Sequence, residues 1–533
     1  MKRYQADYDG YIYEKPSTYW TSETDIKQHL SRVDFKQDEI KAGGIPIISD
    51  GKTAYIDDSD AHTVVEAISG QKKSLCVFMP LIYTLALGGE NMVITDPKGE
   101  LFQRTSGFLA NRQYTIHCLD FRKMDKDAFN ILEYPAQVYK NVDKEKGLAM
   151  LSDIVNMLAE EQRKQAKDRF WPDTAANYLQ ATGAIMFDCY PVKQIHIKNW
   201  AEFNNCESVN QLNELLPMIP DGSTVKTALK DTFSSAENTL RSILITASSF
   251  LSVFNQNSKL TRMVCHSTFS LQELSEKKKT ALYIISDDTT TTSDRIIGMI
   301  INQIQTFLVN QAFLNGGKLK YRSNFILEEF TSLSIPNMDK ALAAHRSRGI
   351  RYYLCVQSLA GLREKYSYPE ALLANCANTL FLGSTEMEML EEVSRKCGTS
   401  PITADGTEKP LISTAELLTL RKAWDYKEAL YLNLNHSVRF VTTMPSIESY
   451  NIGKFPVPSF NYKHEINSYT LDNLCEDISK GKVHPPFSEK VSKESKSEPV
   501  IDSVQGNDEE TLPEEKMTWD DLIALCTAEE EET

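Results

Sequence analysis

Two adjacent carboxylates follow a short apolar run near the middle of the chain, where the sequence reads Phe-Ile-Leu-Glu-Glu-Phe from Phe325 to Phe330. In enzymes that hydrolyse nucleoside triphosphates, a carboxylate at a strand end helps to hold Mg²⁺ and a neighbouring group orients the attacking water. Glu328 and Glu329 are therefore candidates for these two roles. This interpretation requires a phosphate-binding loop upstream, between a strand and a helix.

A candidate loop lies in that place. It begins at Ala67 and ends at Ser74, reading Ala-Ile-Ser-Gly-Gln-Lys-Lys-Ser. Against the pattern G-x-x-x-x-G-K-[ST], Lys73 and Ser74 match, whereas Ala67 and Lys72 stand where the pattern has glycine. Gly70 supplies a glycine in the middle of the loop. On the pattern alone the match is weak, and a polar strand-to-helix turn is the alternative interpretation.

Short apolar runs, typical of buried parallel strands, lie on both sides of a long helical region. The predicted strands are Thr63–Val65, Met92–Thr95, Tyr114–Asp120, Ala281–Ser286, Phe325–Leu327, Tyr352–Val356 and Thr379–Leu382. Between about 143 and 275, apolar residues instead follow helical spacing, as at Leu151, Ile154, Val155 and Leu158. The pattern predicts an α/β sheet interrupted by a helical insertion, with helices at Leu75–Leu87 and 292–314 within the sheet region.

These changes of pattern divide the chain into five parts. The predicted parts are an N-terminal arm or small β element at 1–60, a nucleotide-binding domain in two pieces at 61–140 and 276–450, an all-α insertion at 141–275, and an acidic disordered tail at 464–533.

The net charge of −15 lies almost entirely in that tail. It holds 19 Asp and Glu against 6 Lys and Arg, a net of −13 that leaves −2 for the rest of the chain. A nearly neutral body neither requires nor excludes nucleic-acid binding. Within the tail, 517–527 is predicted to form a short helix whose single apolar stripe binds a partner.

The order of the motifs resembles the conjugative coupling proteins of type IV secretion systems, the TraG/TraD type. The similar segments are Asp96-Pro-Lys-Gly-Glu-Leu101, Thr105-Ser-Gly, Phe129-Asn130, Phe170-Trp171 with Ala175, Leu327-Glu-Glu-Phe330, Arg346-Ser-Arg-Gly-Ile350, Gln357-Ser358 and Asn375-Cys376. The resemblance extends over about residues 15–450. It implies a RecA-like P-loop nucleotide-binding domain that carries an inserted all-α domain.

The resemblance also implies a nucleotide site that takes ATP and Mg²⁺. Lys73, with Gly70 in the same loop, would contact the phosphates, and Ser74 together with Glu328 would hold the metal ion. Three departures from the family pattern predict weak or absent binding and hydrolysis. Lys72 places a Cβ atom and a second cation where glycine lets the backbone close, and Ala67 is a milder version of the same problem. Glu328 is one methylene longer than the aspartate of the family.

Three further residues have implied catalytic roles. Glu329 would orient the attacking water, and Gln357 would sense the γ-phosphate after its strand. Arg348, or Arg346, would act as an arginine finger across a subunit boundary. A structural alternative remains for each of them. Glu329 would belong to a solvated strand end, Gln357 would cap a strand, and the two arginines would be surface charges. Lys98 and Glu100 similarly have a turn-stabilising role as the alternative to catalysis.

Two functions from different classes follow. The first is a coupling protein of conjugative DNA transfer, which links a relaxase–DNA complex to the secretion channel and drives DNA translocation with ATP. The alternative is a catalytically inactive adaptor or scaffold of the same machinery, and a weaker third is a P-loop enzyme unrelated to transfer. The resemblance implies three kinds of partner: relaxosome proteins, DNA held in a channel, and a membrane-anchored component of the secretion channel. It also implies that the chain assembles into a homo- or hetero-oligomer, as a hexameric ring.

The longest apolar run, Leu75–Leu87, is shorter than the roughly 20 residues that cross a bilayer. We therefore expect a cytoplasmic protein that partners recruit to the inner face of the membrane. The ten cysteines form no Cys-x-x-Cys pair, which argues against a zinc site and a disulfide framework.

Overall fold

The computed structural model describes residues 18–487, except 38, 205–207, 288–291, 401–408, 461–465 and 467. Its strands are β1 Ser31–Asp34, β2 Ile45–Ser49, β3 Thr53–Asp57, β4 Thr63–Ala67, β5 Asn91–Thr95, β6 Thr115–Asp120, β7 Thr280–Ile285, β8 Ser323–Leu327, β9 Ile350–Val356, β10 Asn378–Gly383, β11 Tyr426–Asn433 and β12 Val438–Pro445.

The helices of the described residues are α1 Glu23–Lys27, α2 Met79–Gly88, α3 Glu100–Asn111, α4 Glu133–Asn141, α5 Lys144–Gln165, α6 Phe170–Cys189, α7 Ile197–Phe203, α8 Ser208–Leu215, α9 Thr224–Phe233, α10 Glu237–Gln256, α11 Ser258–Val264, α12 Glu273–Glu276, α13 Thr292–Leu314, α14 Met338–Ala344, α15 Leu359–Lys365, α16 Pro369–Leu373, α17 Met387–Cys397, α18 Thr414–Leu418 and α19 Leu471–Ser479. A π-helical turn, Ser74–Phe78, leads directly into α2. Shorter 3-10 turns occur at Val192–Gln194, Leu216–Met218, Phe330–Ser332, His345–Arg348 and Ile447–Tyr450.

The main sheet has nine strands in the order β12-β11-β10-β4-β9-β8-β5-β7-β6. The seven strands from β10 to β6 are parallel, whereas β11 and β12 are antiparallel additions at one edge. Every residue of β4, β5, β7, β8 and β9 is buried, as expected for parallel strands covered on both faces. Strand β9 lies between β4 and β8, so the segments that follow these three strands meet at one edge of the sheet.

Helices occupy the chain between β6 and β7, and the residues described there contain no strand. The predicted helix face at Leu151, Ile154, Val155 and Leu158 is buried in their core. Gly183 in α6 permits close packing, because a Cβ atom there would lie 2.9 Å from the Leu151 side chain. The parallel-rich sheet with its helical insertion confirms the predicted fold class.

The N-terminal part of the described chain forms a second sheet with the order β1-β3-β2. Its pairs are antiparallel. The hydroxyl of Thr442 in β12 donates to the carbonyl of Ile47 in β2, which joins this small sheet to the edge of the main sheet.

The sequence predicts a disordered tail at 464–533, and the structure corrects this prediction at residues 468–487. Helix α19 begins with a capping box between Thr470 and Asn473. Leu471 and Leu474 are buried, and the Tyr469 ring packs 4.7 Å from the Tyr190 ring of the helical region. Apolar residues of this segment thus pack against the helical region. Residues 488–533, including the predicted helix at 517–527, lie outside the described residues.

Candidate nucleotide-binding site

The candidate loop follows β4 and has an unusual backbone. Ala67 is the last residue of β4, an extended conformation that any residue adopts, so the missing first glycine causes no strain there. Gly70 has φ +81° and Lys72 has φ +60°. The left-handed conformation costs a residue with a Cβ atom about 1–2 kcal/mol. Lys72 therefore occupies a position that favours glycine, as the sequence pattern predicts.

The Lys72 side chain is directed to another part of the chain. Its Nζ donates to the carbonyl oxygen of Trp424 at 2.6 Å, in the turn that precedes β11. In the other direction, Lys422 Nζ donates to the carbonyl oxygen of Gly70 at 3.1 Å. Two lysines thus join the loop to this turn, and the second cation of the loop is engaged by a main-chain acceptor.

Ser74 and Glu328 are in direct contact, because the Ser74 hydroxyl donates to the Glu328 carboxylate. The backbone N–H of Glu328 donates to Thr95 Oγ1 at 2.9 Å, which fixes the end of β8 against β5. Glu328 is only 5% exposed, and this burial raises the pKa of its carboxyl to about 7, although Ser74 and the charge of Lys73 act to lower it. The structure therefore brings together Lys73, Ser74 and Glu328.

Lys73 also lies beside the end of β9. Burial raises the pKa of the Cys355 thiol to about 12, and the nearby Lys73 ammonium acts in the opposite direction. Glu328 and Glu329 raise the same pKa, which shows that all these charges surround the carboxyl end of β9. Lys73 and Glu328 are about 250 residues apart in sequence. They come close together because β4 and β8 lie on either side of β9 in the sheet.

Asp96 is a buried acid beside this group that the sequence-based selection of site residues missed. It follows β5 and accepts the backbone N–H of Phe102 at 2.7 Å, so it caps α3. Its Oδ1 has no hydrogen-bond partner among the described residues. Burial raises the pKa of Asp96 to about 6, and the charge of Asp96 in turn raises the pKa of Glu328. Its position at the start of the Asp-Pro-Lys-Gly-Glu motif is the sequence feature that could have identified it as a site residue.

The same motif forms a strand-to-helix turn. Gly99 has φ +69°, and Arg122 Nη1 donates to the carbonyl oxygen of Lys98 at 3.1 Å. The Glu100 carboxylate lies 3.9 Å from Arg104 one turn further along α3. The main chain of Lys98 and the side chain of Glu100 thus both take part in contacts that stabilise the turn.

Glu329 and Gln357 follow β8 and β9 at the same edge of the sheet. The backbone N–H of Gln357 donates to Thr331 Oγ1 at 3.1 Å, which ties together the two segments after these strands. Glu329 also lies near the start of α13, since burial and, to a smaller extent, the charge of Glu329 raise the pKa of the Asp294 carboxyl to about 6. Glu329 and Gln357 thus lie at the carboxyl ends of the strands, as Lys73 does.

Arg346 and Arg348 lie elsewhere. They belong to the turn His345–Arg348 that precedes β9, so they are at the amino end of this strand. A seven-residue strand is about 20 Å long, which separates them from the carboxyl edge of their own subunit. The structure does not bring either arginine to the Lys73–Glu328 group of the same chain.

The residues at this edge suit a nucleotide with Mg²⁺. The Ser74 hydroxyl and the Glu328 carboxylate are oxygen ligands, the class that Mg²⁺ prefers. The unpartnered Asp96 oxygen adds negative potential that a divalent cation would neutralise. Lys73 supplies a positive charge for phosphate.

Known proteins of conjugative DNA transfer are similar to this chain. The model of the family described as "Type IV secretory system Conjugative DNA transfer" matches residues 14–430. The chain belongs to this family. A conjugal transfer protein TraG of Escherichia coli is 24% identical over 379 residues, which cover 66% of this chain and 57% of TraG. The chain thus spans less than two thirds of the length of that relative.

Solved structures of the coupling protein TrwB share the fold. TrwB with the non-hydrolysable GTP analogue GDPNP has a TM-score of 0.58 at 16% identity, covering 87% of this chain and 100% of TrwB. TrwB with ADP and Mg²⁺ has a TM-score of 0.57 at 16% identity, covering 85% and 98%. This family member has, among its described helices, none that combines the length and apolar character needed to cross a membrane.

Proposed function

We propose that this chain is a coupling protein of conjugative DNA transfer that binds ATP with Mg²⁺ at the loop after β4. The contact between Ser74 and Glu328, beside Lys73 and across the end of β9, carries the proposal. Membership of the conjugative DNA transfer family supports it. TrwB, whose structures were solved with ADP and Mg²⁺ and with a GTP analogue, adds support from a similar fold.

Each residue of the site would have a separate role in ATP binding and hydrolysis. Lys73 would contact the β- and γ-phosphates, and Ser74 with Glu328 would hold Mg²⁺, whose charge stabilises the phosphates during transfer. Glu329 would orient the attacking water, with Gln357 beside the γ-phosphate. Arg348 would reach this site only from a neighbouring subunit, because it lies at the opposite edge of its own sheet.

Hydrolysis should be slow in this chain. Lys72 holds a left-handed backbone in the loop. Burial raises the pKa of the Glu328 carboxyl to about 7, so a proton competes with Mg²⁺ for this carboxylate near neutral pH. A second function, an adaptor that binds nucleotide without hydrolysing it, is favoured by the engagement of Lys72 with Trp424.

The partners follow from the same family role. We infer DNA held in a channel, relaxosome proteins on one side and a membrane-anchored component of the secretion channel on the other. The active form would be an oligomer, a hexameric ring by resemblance, located in the cytoplasm and recruited to the membrane by its partners.

The test is ATP binding and DNA-stimulated hydrolysis by the full chain, with Lys73→Ala as the decisive variant. We expect Lys73→Ala to abolish ATP binding, while Lys52→Ala, which removes an exposed lysine of the small sheet, leaves binding unchanged. Equal ATP affinity of the wild type and Lys73→Ala would overturn the proposed site.

A further inference from the structure

A turn that two backbone hydrogen bonds and an ion pair close stands beside the candidate nucleotide site, and none of its side chains has a role in the hydrolysis proposed above. It comprises residues 421–428 and is called the Trp424 turn below. Glu428 N–H donates to the Arg421 carbonyl at 2.8 Å, and Ala423 N–H donates to the Tyr426 carbonyl at 3.1 Å. An ion pair between Arg421 Nε and the Glu428 carboxylate, at 2.7 Å, closes the base of the turn.

The turn is fastened to the phosphate loop by the two lysine contacts. Lys72 Nζ donates to the carbonyl of Trp424 itself, and Lys422 Nζ donates to the carbonyl of Gly70. A tryptophan is thereby held next to the loop. This residue is 83% exposed, against 43% for Trp20 and 37% for Trp171.

The strand order gives the direction in which a bound nucleotide must extend. Its γ-phosphate has to face Glu329 and Gln357, which follow β8 and β9 on one side of β4. Strands β10 and β11 lie on the other side of β4. The nucleoside, at the opposite end of the triphosphate, therefore extends toward β10 and β11, and the Trp424 turn leads into β11.

We propose that the indole of Trp424 stacks on the base of the bound nucleotide, an inference that rests on the proposed nucleotide site. Stacking on an aromatic face accepts any base, because every base has a π face. The site would therefore bind purine triphosphates with little discrimination between ATP and GTP. Lys72 would then serve as the tether of this platform, which gives a function to the residue that replaces glycine.

The experiment compares two ligands on the full chain in the presence of Mg²⁺: a non-hydrolysable ATP analogue and inorganic tripolyphosphate, which lacks the base. Base–aromatic stacking contributes about 1–3 kcal/mol per base, so Trp424→Ala should weaken binding of the analogue about 5- to 150-fold. Binding of tripolyphosphate should not change. Trp424→Phe should retain most of the affinity, and Trp171→Ala, the matched control, should retain all of it.

Each result decides between the two proposals. If Trp424→Ala leaves the affinity for the ATP analogue unchanged while Lys73→Ala abolishes binding of both ligands, the stacking inference is wrong and the nucleotide site stands. If Trp424→Ala weakens both ligands equally, the residue supports the loop and does not contact the base, which also overturns the inference. If the wild type binds neither ligand, both proposals fail.

Discussion

At the scale of single residues, the replacement of aspartate by Glu328 has a definite structural result. The carboxylate reaches the Ser74 hydroxyl directly, and the two groups that would hold Mg²⁺ are hydrogen-bonded to each other. Because the carboxyl is buried and near Asp96, its proton is held more tightly than in water. A metal ion would have to displace this proton, so metal binding at this site should depend on pH.

The buried carboxyl of Glu328 should make the protein less stable as pH rises. Its pKa is raised from 4.5 in the unfolded chain to about 7 in the folded one, so the folded state binds the proton more tightly between these values. The contribution to stability is complete below pH 4.5 and is lost as pH rises to about 7, by up to about 3 kcal/mol. Urea unfolding at about pH 4.5 and about pH 8 measures this loss.

Glu328→Gln should reduce this pH dependence, because the amide does not titrate. Glu66 and Asp96 have pKa values raised in the same direction, so part of the dependence will remain. Glu364→Gln, in an exposed position of α15, is the matched control and should behave as the wild type. An unchanged pH profile in Glu328→Gln would mean that the carboxyl titrates as in the unfolded chain.

At the scale of elements, the parallel strands were predictable because a short apolar run of local sequence forms the centre of most of them. Strand β8 is an example: Phe325 to Leu327 is buried throughout, and the two acids follow directly. Strands β11 and β12 were not predicted. Strand β11 does contain a buried apolar run at 429–432, and the sequence-based prediction missed it. The edge strand β12 alternates buried and more exposed residues, so no continuous apolar run marks it.

The contacts of the candidate site were predictable in part. A loop motif and a strand end with two acids are local patterns, and the α/β fold requires that they meet at one sheet edge. The Trp424 turn was not predictable, since its contact with Lys72 joins residues 352 positions apart and depends on two side chains. The buried oxygen of Asp96 likewise appears only when its neighbours are known.

ATP turnover should increase when the residues that depart from the family pattern are changed to the family's residues. We expect wild-type ATP turnover to be weak or absent, and the combination Ala67→Gly, Lys72→Gly and Glu328→Asp to raise kcat by on the order of tenfold or more, about 1.4 kcal/mol in the barrier. Glycine at 72 removes the left-handed strain, and the shorter acid leaves room for Mg²⁺ between it and Ser74. DNA-stimulated phosphate release measures the change.

Two single variants identify the cause. Ala67→Gly alone should have no effect on turnover, because Ala67 is an unstrained residue of β4. Lys72→Met removes the contact with Trp424 but keeps the Cβ atom in the left-handed conformation, so it should give no gain. Wild-type turnover in the ordinary range of about 1–10³ s⁻¹ would contradict the expectation of an impaired loop.

Helix α19 should be required for the stability of the helical region. Leu474 is fully buried where α19 packs near α8, and Leu→Ala substitutions in such positions cost about 2–5 kcal/mol. We expect Leu474→Ala to lower the free energy of unfolding by this amount in a chemical denaturation experiment. Glu476→Ala, an exposed position of the same helix, should change it by less than about 0.5 kcal/mol. A similar small effect for both variants would mean that α19 does not pack stably.

At the scale of the whole molecule, the carboxyl ends and the amino ends of the parallel strands carry different candidate site residues. Lys73, Ser74, Glu328, Glu329 and Gln357 lie at or beyond the carboxyl ends of the strands, whereas Arg348 precedes β9 at the amino end. Within one chain the arginine is separated from the site by the length of a strand. A head-to-tail ring is the arrangement that places different edges of neighbouring subunits against each other.

If Arg348 completes the site of a neighbour, two inactive variants should restore activity when mixed. Both are made in the background with Lys72→Gly and Glu328→Asp, so that turnover can be measured. Lys73→Ala removes the phosphate contact of its own site, and Arg348→Ala removes the residue supplied to the adjacent site. In a random ring of equal amounts, about one quarter of the interfaces pair an intact Lys73 with an intact Arg348, so about one quarter of the parent activity should return. The same mixture with Arg346→Ala tests the other arginine. Full activity of Arg348→Ala alone, or no recovery on mixing, would exclude Arg348 as the residue that acts between subunits.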